Sequence, residues 1–149
     1  MENKYIRCVF LVIVIFVILS CFILFCLGEK KKDVCFDSVC FDVNIADNLI
    51  ERERGLMNVE YLDERSGMLF IYENSGNYSF WMKNTMISLD IIWIDEDFNV
   101  VYIKSVFPCE TEVCEVYCSS EKSKYVLEIN YGLAEKYNIS VGEKVDVFV

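Results

Sequence analysis

The strongest constraint on the fold is an apolar run of twenty residues near the N-terminus, residues 8–27. The run contains no charged residue, and Ser20 is its only clearly polar position. A helix of this length spans roughly 30 Å, which is the thickness of the hydrocarbon core of a bilayer. A soluble helix that is apolar on all sides has to be buried in a large protein, and 149 residues do not make one. The run therefore predicts a single-pass transmembrane anchor.

Two other fates of this segment stay open. Cys26, Leu27 and Gly28 form a small-x-small site, which is compatible with cleavage after Gly28. Cys21 loosely resembles a lipoprotein processing position, although the residues after it remain apolar. A secretory signal usually has only about 7–15 apolar residues, so the length of the run favours a retained anchor. We therefore divide the chain into a tail (1–7), an anchor (8–27), a charged linker (28–33) and one domain (34–149).

The charge of the domain excludes one class of partner. Residues 33–149 carry 9 Lys and Arg against 22 Asp and Glu, a net charge of −13. Such a surface repels nucleic acid and anionic lipid headgroups, so we expect no nucleic-acid partner. The chain also contains no histidine. This excludes Ser–His and Cys–His catalytic devices and imidazole metal sites, and we expect no cofactor.

The cysteines indicate an oxidising compartment. Five of them lie outside the apolar run: Cys35, Cys40, Cys109, Cys114 and Cys118. An odd number in a small domain suggests one or two disulfides and a spare thiol. The basic residues on the two sides of the anchor nearly balance, so the flanking charge does not set its orientation. The cysteines decide the expectation instead, and we expect the domain to be extracytoplasmic.

The spacing of these cysteines gives different expectations for the two groups. Cys109, Cys114 and Cys118 lie in a long loop, 107–124, where a turn can bring Cys109 and Cys114 within disulfide distance. A zinc site there lacks a fourth ligand. On one regular strand, Cys35 and Cys40 point to opposite faces about 17 Å apart. We therefore predict that this pair does not bridge, and that one of the two pairs with the loop.

Alternating apolar and polar residues predict a strand-rich domain. The predicted strands are 34–46, 68–72, 79–94, 100–106, 125–129 and 145–149. Asn48 and Glu51 have the spacing of a capping box, and Gly55 is a suitable end for the short helix that follows. A second short helix is predicted over 133–137. Short strands with two short helices favour a compact antiparallel β-barrel or sandwich.

Several stretches resemble a known family. They are residues 53–57 (ERGLM), 67–70 (GMLF), 80–85 (FWMKNT), 89–92 (LDII), 108–109 (PC) and 125–128 (YVLE). In this order and spacing the chain is similar to domain-of-unknown-function family 192, an uncharacterised group often found as secreted or membrane-anchored proteins. The resemblance implies one mainly-β, jelly-roll-like, extracytoplasmic domain and no assigned reaction. Ser88 and Trp93 stand where the family usually has proline and phenylalanine.

A polar set next to the apolar strands is the first candidate site. It consists of Trp81, Lys83, Asn84, Thr85, Asp90 and Glu128. These residues are suited to a pocket that orients a sugar or carboxylate ligand. The structural alternative is that Lys83 pairs with an acid and that Asn84 and Thr85 cap a turn. A further alternative uses Asp90 and Glu128 as paired carboxylates of a hydrolase-like or carbohydrate-active enzyme.

The methionines are a second candidate. All except the first residue lie in one window: Met57, Met68, Met82 and Met86. Thioethers beside an indole suit a soft cation such as Cu(I), whereas the alternative is that they fill gaps in the core. The favoured hypothesis is a membrane-anchored extracytoplasmic small-molecule-binding or accessory module, not an enzyme. The small-molecule ligand, or a protein partner, is left unidentified.

Overall fold

A seven-stranded sheet forms the centre of the domain in the computed structural model, which describes residues 9–10, 13–17 and 32–149. Its strands are β1 (Asp33–Phe36), β2 (Val39–Ala46), β3 (Ser66–Gly76), β5 (Leu89–Ile94), β6 (Val100–Val106), β8 (Ser123–Asn130) and β9 (Asp146–Phe148). The spatial order is β6-β5-β8-β3-β2-β1-β9, and β4 (Ser79–Trp81) pairs with β7 (Val116–Cys118) in a second, small sheet. The prediction of a mainly-β domain is confirmed.

The topology differs from the antiparallel barrel or jelly-roll-like sandwich expected from the sequence. The main sheet curls into a half-barrel, and its β2–β3 pair is parallel, whereas its other neighbours are antiparallel. Parallel neighbours need a crossover connection, which here contains the helix α1 (Leu49–Arg54). Alternation of apolar residues indicates which face of a strand is buried but not the direction of its neighbour. The sequence pattern therefore could not predict that β2 and β3 are parallel.

The two ends of α1 follow the predicted capping pattern. The Asn48 side chain accepts a hydrogen bond from the backbone N–H of Glu51 at 3.0 Å. In return, the Glu51 carboxylate accepts the N–H of Asp47 at 3.3 Å. Gly55 ends the helix with φ 48°, a value that favours glycine, and its N–H bonds to the Glu51 carbonyl. The predicted start and end of this helix are confirmed.

Both faces of the main sheet are covered. All six residues of β5 are buried. Ile91 and Trp93 pack in a cluster that includes Phe70, whereas Ile92 packs on the other face with Phe41. Helix α2 (Leu133–Lys136) covers that second face with its own buried residues. Alternate side chains of β5 therefore pack on the two faces of the sheet, and the strand is buried over its whole length.

The cysteine pairs confirm one prediction and correct another. Cys109 and Cys114 form a disulfide with their Cα atoms 5.6 Å apart, as expected. Cys35 and Cys40 also form one, with a Cα separation of 4.0 Å, so the prediction that they cannot bridge is wrong. A turn at residues 37–38 folds the expected single strand into two, which makes the two cysteines direct cross-strand partners. Cys118 is a free, exposed thiol and does not join either bridge.

The predicted anchor falls largely outside the described residues. Of residues 8–27, the structure describes 9–10 and 13–17, which are helical. Within the described parts of the chain, no helix is long and apolar enough to cross a membrane. The transmembrane anchor and most of the charged linker therefore stay predictions.

Candidate functional site

A buried glutamate lies at the centre of the main sheet. Glu128 is on β8, opposite Met68 of β3 and Ile91 of β5. Its side chain shares the sheet face of Val126 and is only 5% exposed. Burial raises the pKa of Glu128 to about 8, because the charged form loses its hydration.

The carboxyl group of Glu128 is not matched by a protein donor. Its Oε2 atom is buried and has no hydrogen-bond partner among the residues that the structure describes. A buried polar group without a partner costs free energy, and such groups are uncommon in folded proteins. A bound molecule that donates a hydrogen bond would relieve this cost.

A cavity of about 30 Å³ opens beside this carboxyl group. Its walls come from α1 and the loop after it, from β3 and β4, and from β8: Arg52, Glu53, Arg54, Gly55, Leu56, Met57, Phe70, Phe80, Trp81, Thr85 and Glu128. Phe70 and Phe80 meet edge to face with their centroids 4.9 Å apart, which fixes one apolar wall. The space corresponds to roughly one water-sized group.

Gly55 keeps the cavity open. A Cβ atom at this position would lie 3.3 Å from the Phe70 ring and 3.9 Å from Glu128 Oε2. The first distance is tighter than ordinary van der Waals contact, and the positive φ of Gly55 would strain any other residue. Gly55 therefore has two roles, because it ends α1 and leaves space between the Phe70 ring and Glu128.

A backbone hydrogen bond joins the two loops that carry the wall residues Met57 and Thr85. The backbone N–H of Asn58 donates to the carbonyl of Asn84 at 2.8 Å, which joins the loop after α1 to the turn after β4. Asn84 has φ 55°, a conformation that asparagine tolerates. The turn closes when the Thr85 N–H donates to the Met82 carbonyl at 3.2 Å. This turn places the buried Thr85 side chain in the cavity wall.

The predicted polar set divides between this cavity and other places. Trp81, Thr85 and Glu128 line the cavity together. Lys83 and Asn84 lie in the adjoining turn, and the Lys83 Nζ atom sits 5.2 Å from the centroid of the half-exposed Trp81 ring. This is the distance of a cation–π contact. The Lys83 ammonium therefore contacts an aromatic ring, whereas the sequence alternative paired it with an acid.

Asp90 does not belong to the cavity. It is fully buried, and its carboxylate accepts hydrogen bonds from the Ser105 hydroxyl at 2.6 Å and the Ala134 backbone N–H at 2.9 Å. Asp90 pairs with Ile129, the neighbour of Glu128 on β8, so the two acids point to opposite faces of the sheet. The hypothesis of an Asp90–Glu128 catalytic pair is therefore wrong.

The methionines are spread over different surroundings. Met57 lines the cavity, Met82 is buried in the core and Met68 packs against the same core cluster. Met86 is 56% exposed. Packing explains Met82 and Met68. No group of three His, Cys, Asp or Glu residues suited to a metal occurs in the described ranges, and the Cu(I) site stays a prediction.

Sequence reasoning did not identify several walls of the cavity. Arg52, Gly55, Phe70 and Phe80 were not assigned to a site, although three of them lie in the stretches that carry the family resemblance. A larger cavity of about 460 Å³ lies beside the Cys109–Cys114 loop. Among the described residues that line it, none carries a buried side-chain oxygen or nitrogen without a partner. The Glu128 cavity is therefore the better candidate.

Comparison with solved structures reveals similar folds. A protein of unknown function from Novosphingobium aromaticivorans aligns with a TM-score of 0.70 and 32% identity, over 78% of this chain and 83% of that one. A Sinorhizobium meliloti protein aligns with a TM-score of 0.73 and 29% identity, over 80% of this chain and 98% of that one.

Sequence comparison identifies archaeal relatives. A UPF0127 protein of Pyrococcus horikoshii is 29% identical over 112 residues, 72% of this chain and 88% of the relative. Relatives from Thermococcus gammatolerans (29% identical) and Thermococcus sibiricus (31% identical) match 69% and 70% of this chain, which spans 64% of the length of each. The model of the DUF192 family, described as uncharacterized ACR, matches residues 32–147. The chain therefore belongs to the DUF192 family.

Proposed function

We propose that this DUF192 domain is a small-molecule-binding module whose site is the Glu128 cavity. The observation that carries the proposal is the buried Oε2 atom of Glu128, which lacks a partner in the described part of the chain and borders an open space. Ligand sites combine mostly apolar walls with a few polar groups that fix orientation. Here Phe70, Phe80 and Trp81 supply aromatic walls, α1 adds charged side chains, and the carboxyl of Glu128 and the hydroxyl of Thr85 are the buried polar groups.

Binding is favoured over acid–base catalysis. A glycosidase-type mechanism needs two acids on the same side of the substrate. Asp90 lies on the opposite face of the sheet and is already bonded to Ser105 and Ala134. Glu128 therefore has the geometry of a recognition group, and the domain fits an accessory or sensing role.

We expect this binding to be detectable with simple fragments. The full-length protein should be titrated with a panel of amines, alcohols and carboxylic acids of up to six carbons. At least one fragment should raise the melting temperature. Thr85→Val should weaken its binding about fivefold, the effect of losing one neutral hydrogen bond. Thr111→Val removes an exposed hydroxyl outside this cavity and should leave binding unchanged. A silent panel, or equal effects of the two variants, would contradict the proposal.

We also propose that residues 8–27 hold the domain at the outer side of a membrane. The uncharged apolar run supports the anchor, and the two disulfides support an oxidising compartment. After carbonate washing, we expect the full-length chain to stay in the membrane pellet. Recovery in the supernatant, or a mature N-terminus at Glu29, would contradict the anchor.

A further inference from the structure

We infer that the ligand presents a primary ammonium group to Glu128. This inference rests on the proposed function and names the chemical class of its ligand. An ammonium carries three hydrogen-bond donors and a positive charge, and a carboxylate accepts hydrogen bonds with both oxygens. A charge-assisted bond of this kind is also stronger than one between neutral groups.

The protein does not supply this cation itself. In the range 32–149, the side chain of Glu128 makes no hydrogen bond or ion pair with a described residue. The nearby guanidinium of Arg52 is engaged elsewhere, since it donates to the carbonyls of Asp47 and Ile71. It also lies 5.1 Å from the centroid of the Tyr72 ring. Arg54, the other arginine of the wall, makes no ion pair with Glu128 either, so the carboxyl is open to a positive group of a ligand.

The walls of the cavity suit an ammonium group. Aromatic ring faces attract cations, and a methionine thioether is a polarisable neighbour. Phe70, Phe80 and Trp81 supply aromatic rings, and Met57 a thioether, to the wall that they share with Glu128. Lys83 does not line the cavity, but its ammonium lies 5.2 Å from the centroid of the Trp81 ring, which shows that this ring can hold such a group.

The size of the cavity selects the kind of cation. About 30 Å³ holds a single group the size of water or ammonium. A quaternary ammonium is larger because it replaces each hydrogen with a methyl group. A hard metal ion usually needs six or more oxygen ligands, whereas Glu128 and Glu53 are the carboxylates in the described wall. The rest of the ligand has to extend outwards, towards the exposed Trp81 and Arg54.

Binding of an ammonium has a measurable proton balance. Because burial raises the pKa of Glu128 to about 8, the free carboxyl is mostly protonated at pH 7. The charged ligand stabilises the carboxylate, so the carboxyl O–H proton leaves to the buffer as the ion pair forms.

The other titratable groups around the cavity are Arg52, Arg54 and the exposed Glu53 from α1, and Tyr72 from β3. Tyr72 stays neutral at pH 7, because burial raises its pKa to about 12. The Glu128→Gln variant therefore decides whether a proton released at pH 7 comes from Glu128.

Calorimetry of the full-length protein at pH 7 tests the inference. Butylammonium and 1-butanol should be titrated in phosphate and in Tris, whose ionisation enthalpies differ. We expect butylammonium to bind at least tenfold more tightly than 1-butanol or tetramethylammonium, and to release nearly one proton. Glu128→Gln should weaken butylammonium binding at least tenfold and abolish proton release. Glu121→Gln, which changes an exposed acid outside the cavity, should change neither.

The outcomes separate this inference from the proposed function. If 1-butanol binds as tightly as butylammonium without proton release, the ammonium inference is overturned and the binding module stands. Equal binding of butylammonium to wild type and Glu128→Gln also overturns the inference. If butylammonium does not bind and the fragment panel is silent as well, the inference and the proposed function both fail.

Discussion

Between pH 4 and pH 9, the free energy of unfolding of the wild-type protein should fall by about 5 kcal/mol relative to that of the Glu128→Gln variant. Burial raises the pKa of Glu128 from 4.5 to about 8. A raised pKa stabilises the fold fully below pH 4.5, where both states are protonated, and this advantage is lost as the pH rises towards 8. Above pH 8, Glu128 is ionised in both the folded and the unfolded protein. The difference in unfolding free energy between wild type and Glu128→Gln therefore becomes constant.

Urea unfolding of both proteins at steps of half a pH unit measures this difference. Other carboxylates contribute equally to the two proteins and cancel. Glu121→Gln, at an exposed position, should follow the wild-type curve. Parallel curves for wild type and Glu128→Gln would mean that Glu128 has an ordinary pKa, and would remove the basis for proton release on ligand binding.

The features that the sequence predicted well depend on local signals. Asn48, Glu51 and Gly55 lie within eight residues of one another, and their side-chain and backbone chemistry defines a helix start and end without any distant contact. The Cys109–Cys114 bridge likewise closes a short loop. The apolar face of β5 follows from alternation, because strand side chains point to opposite faces in turn.

The errors arose where long-range register or an unmarked turn decides the structure. The turn at residues 37–38 contains Asp and Ser but neither Gly nor Pro, so the hairpin that joins Cys35 to Cys40 gave a weak signal. The opposite orientation of Asp90 and Glu128 depends on how β5 pairs with β8, where Asp90 lies opposite Ile129, 39 residues away in the chain.

Only part of the candidate site could be predicted, because some of its residues are brought together by contacts that are distant in the sequence. Trp81, Thr85 and Glu128 were identified from residue type, and the structure brings them to one cavity. Gly55 and Phe70 complete the cavity through packing between α1, β3 and β8. A glycine required by a distant phenylalanine leaves no periodic signal, so its role becomes visible only when the elements are assembled.

Replacing Asp90 with alanine should lower the free energy of unfolding by about 3–5 kcal/mol, which would make it an architectural residue. Asp90 accepts two hydrogen bonds in a fully buried position, from the Ser105 hydroxyl and the Ala134 N–H near the start of α2. Loss of the carboxyl group leaves these two donors without a partner, at a cost of about 1–3 kcal/mol each, and also removes packing contacts. The variant therefore loosens α2 from the sheet.

Asp90→Asn provides the sharper comparison, because it keeps the shape of the side chain. The asparagine amide has one oxygen that can accept from the Ser105 hydroxyl or the Ala134 N–H, and its NH₂ group then faces the other donor. We therefore expect the free energy of unfolding to fall by about 2 kcal/mol. Urea melts of Asp90→Asn, Ser105→Ala and the double variant should show coupling, since the two side chains bond directly. Lys83→Met is the matched control for an ion pair with Asp90; it should leave stability nearly unchanged, because Lys83 contacts Trp81 instead. The architectural role of Asp90 would be contradicted if the losses of stability in Asp90→Asn and Ser105→Ala simply added. Loss of fragment binding in Asp90→Asn at unchanged stability would instead place Asp90 in the binding site.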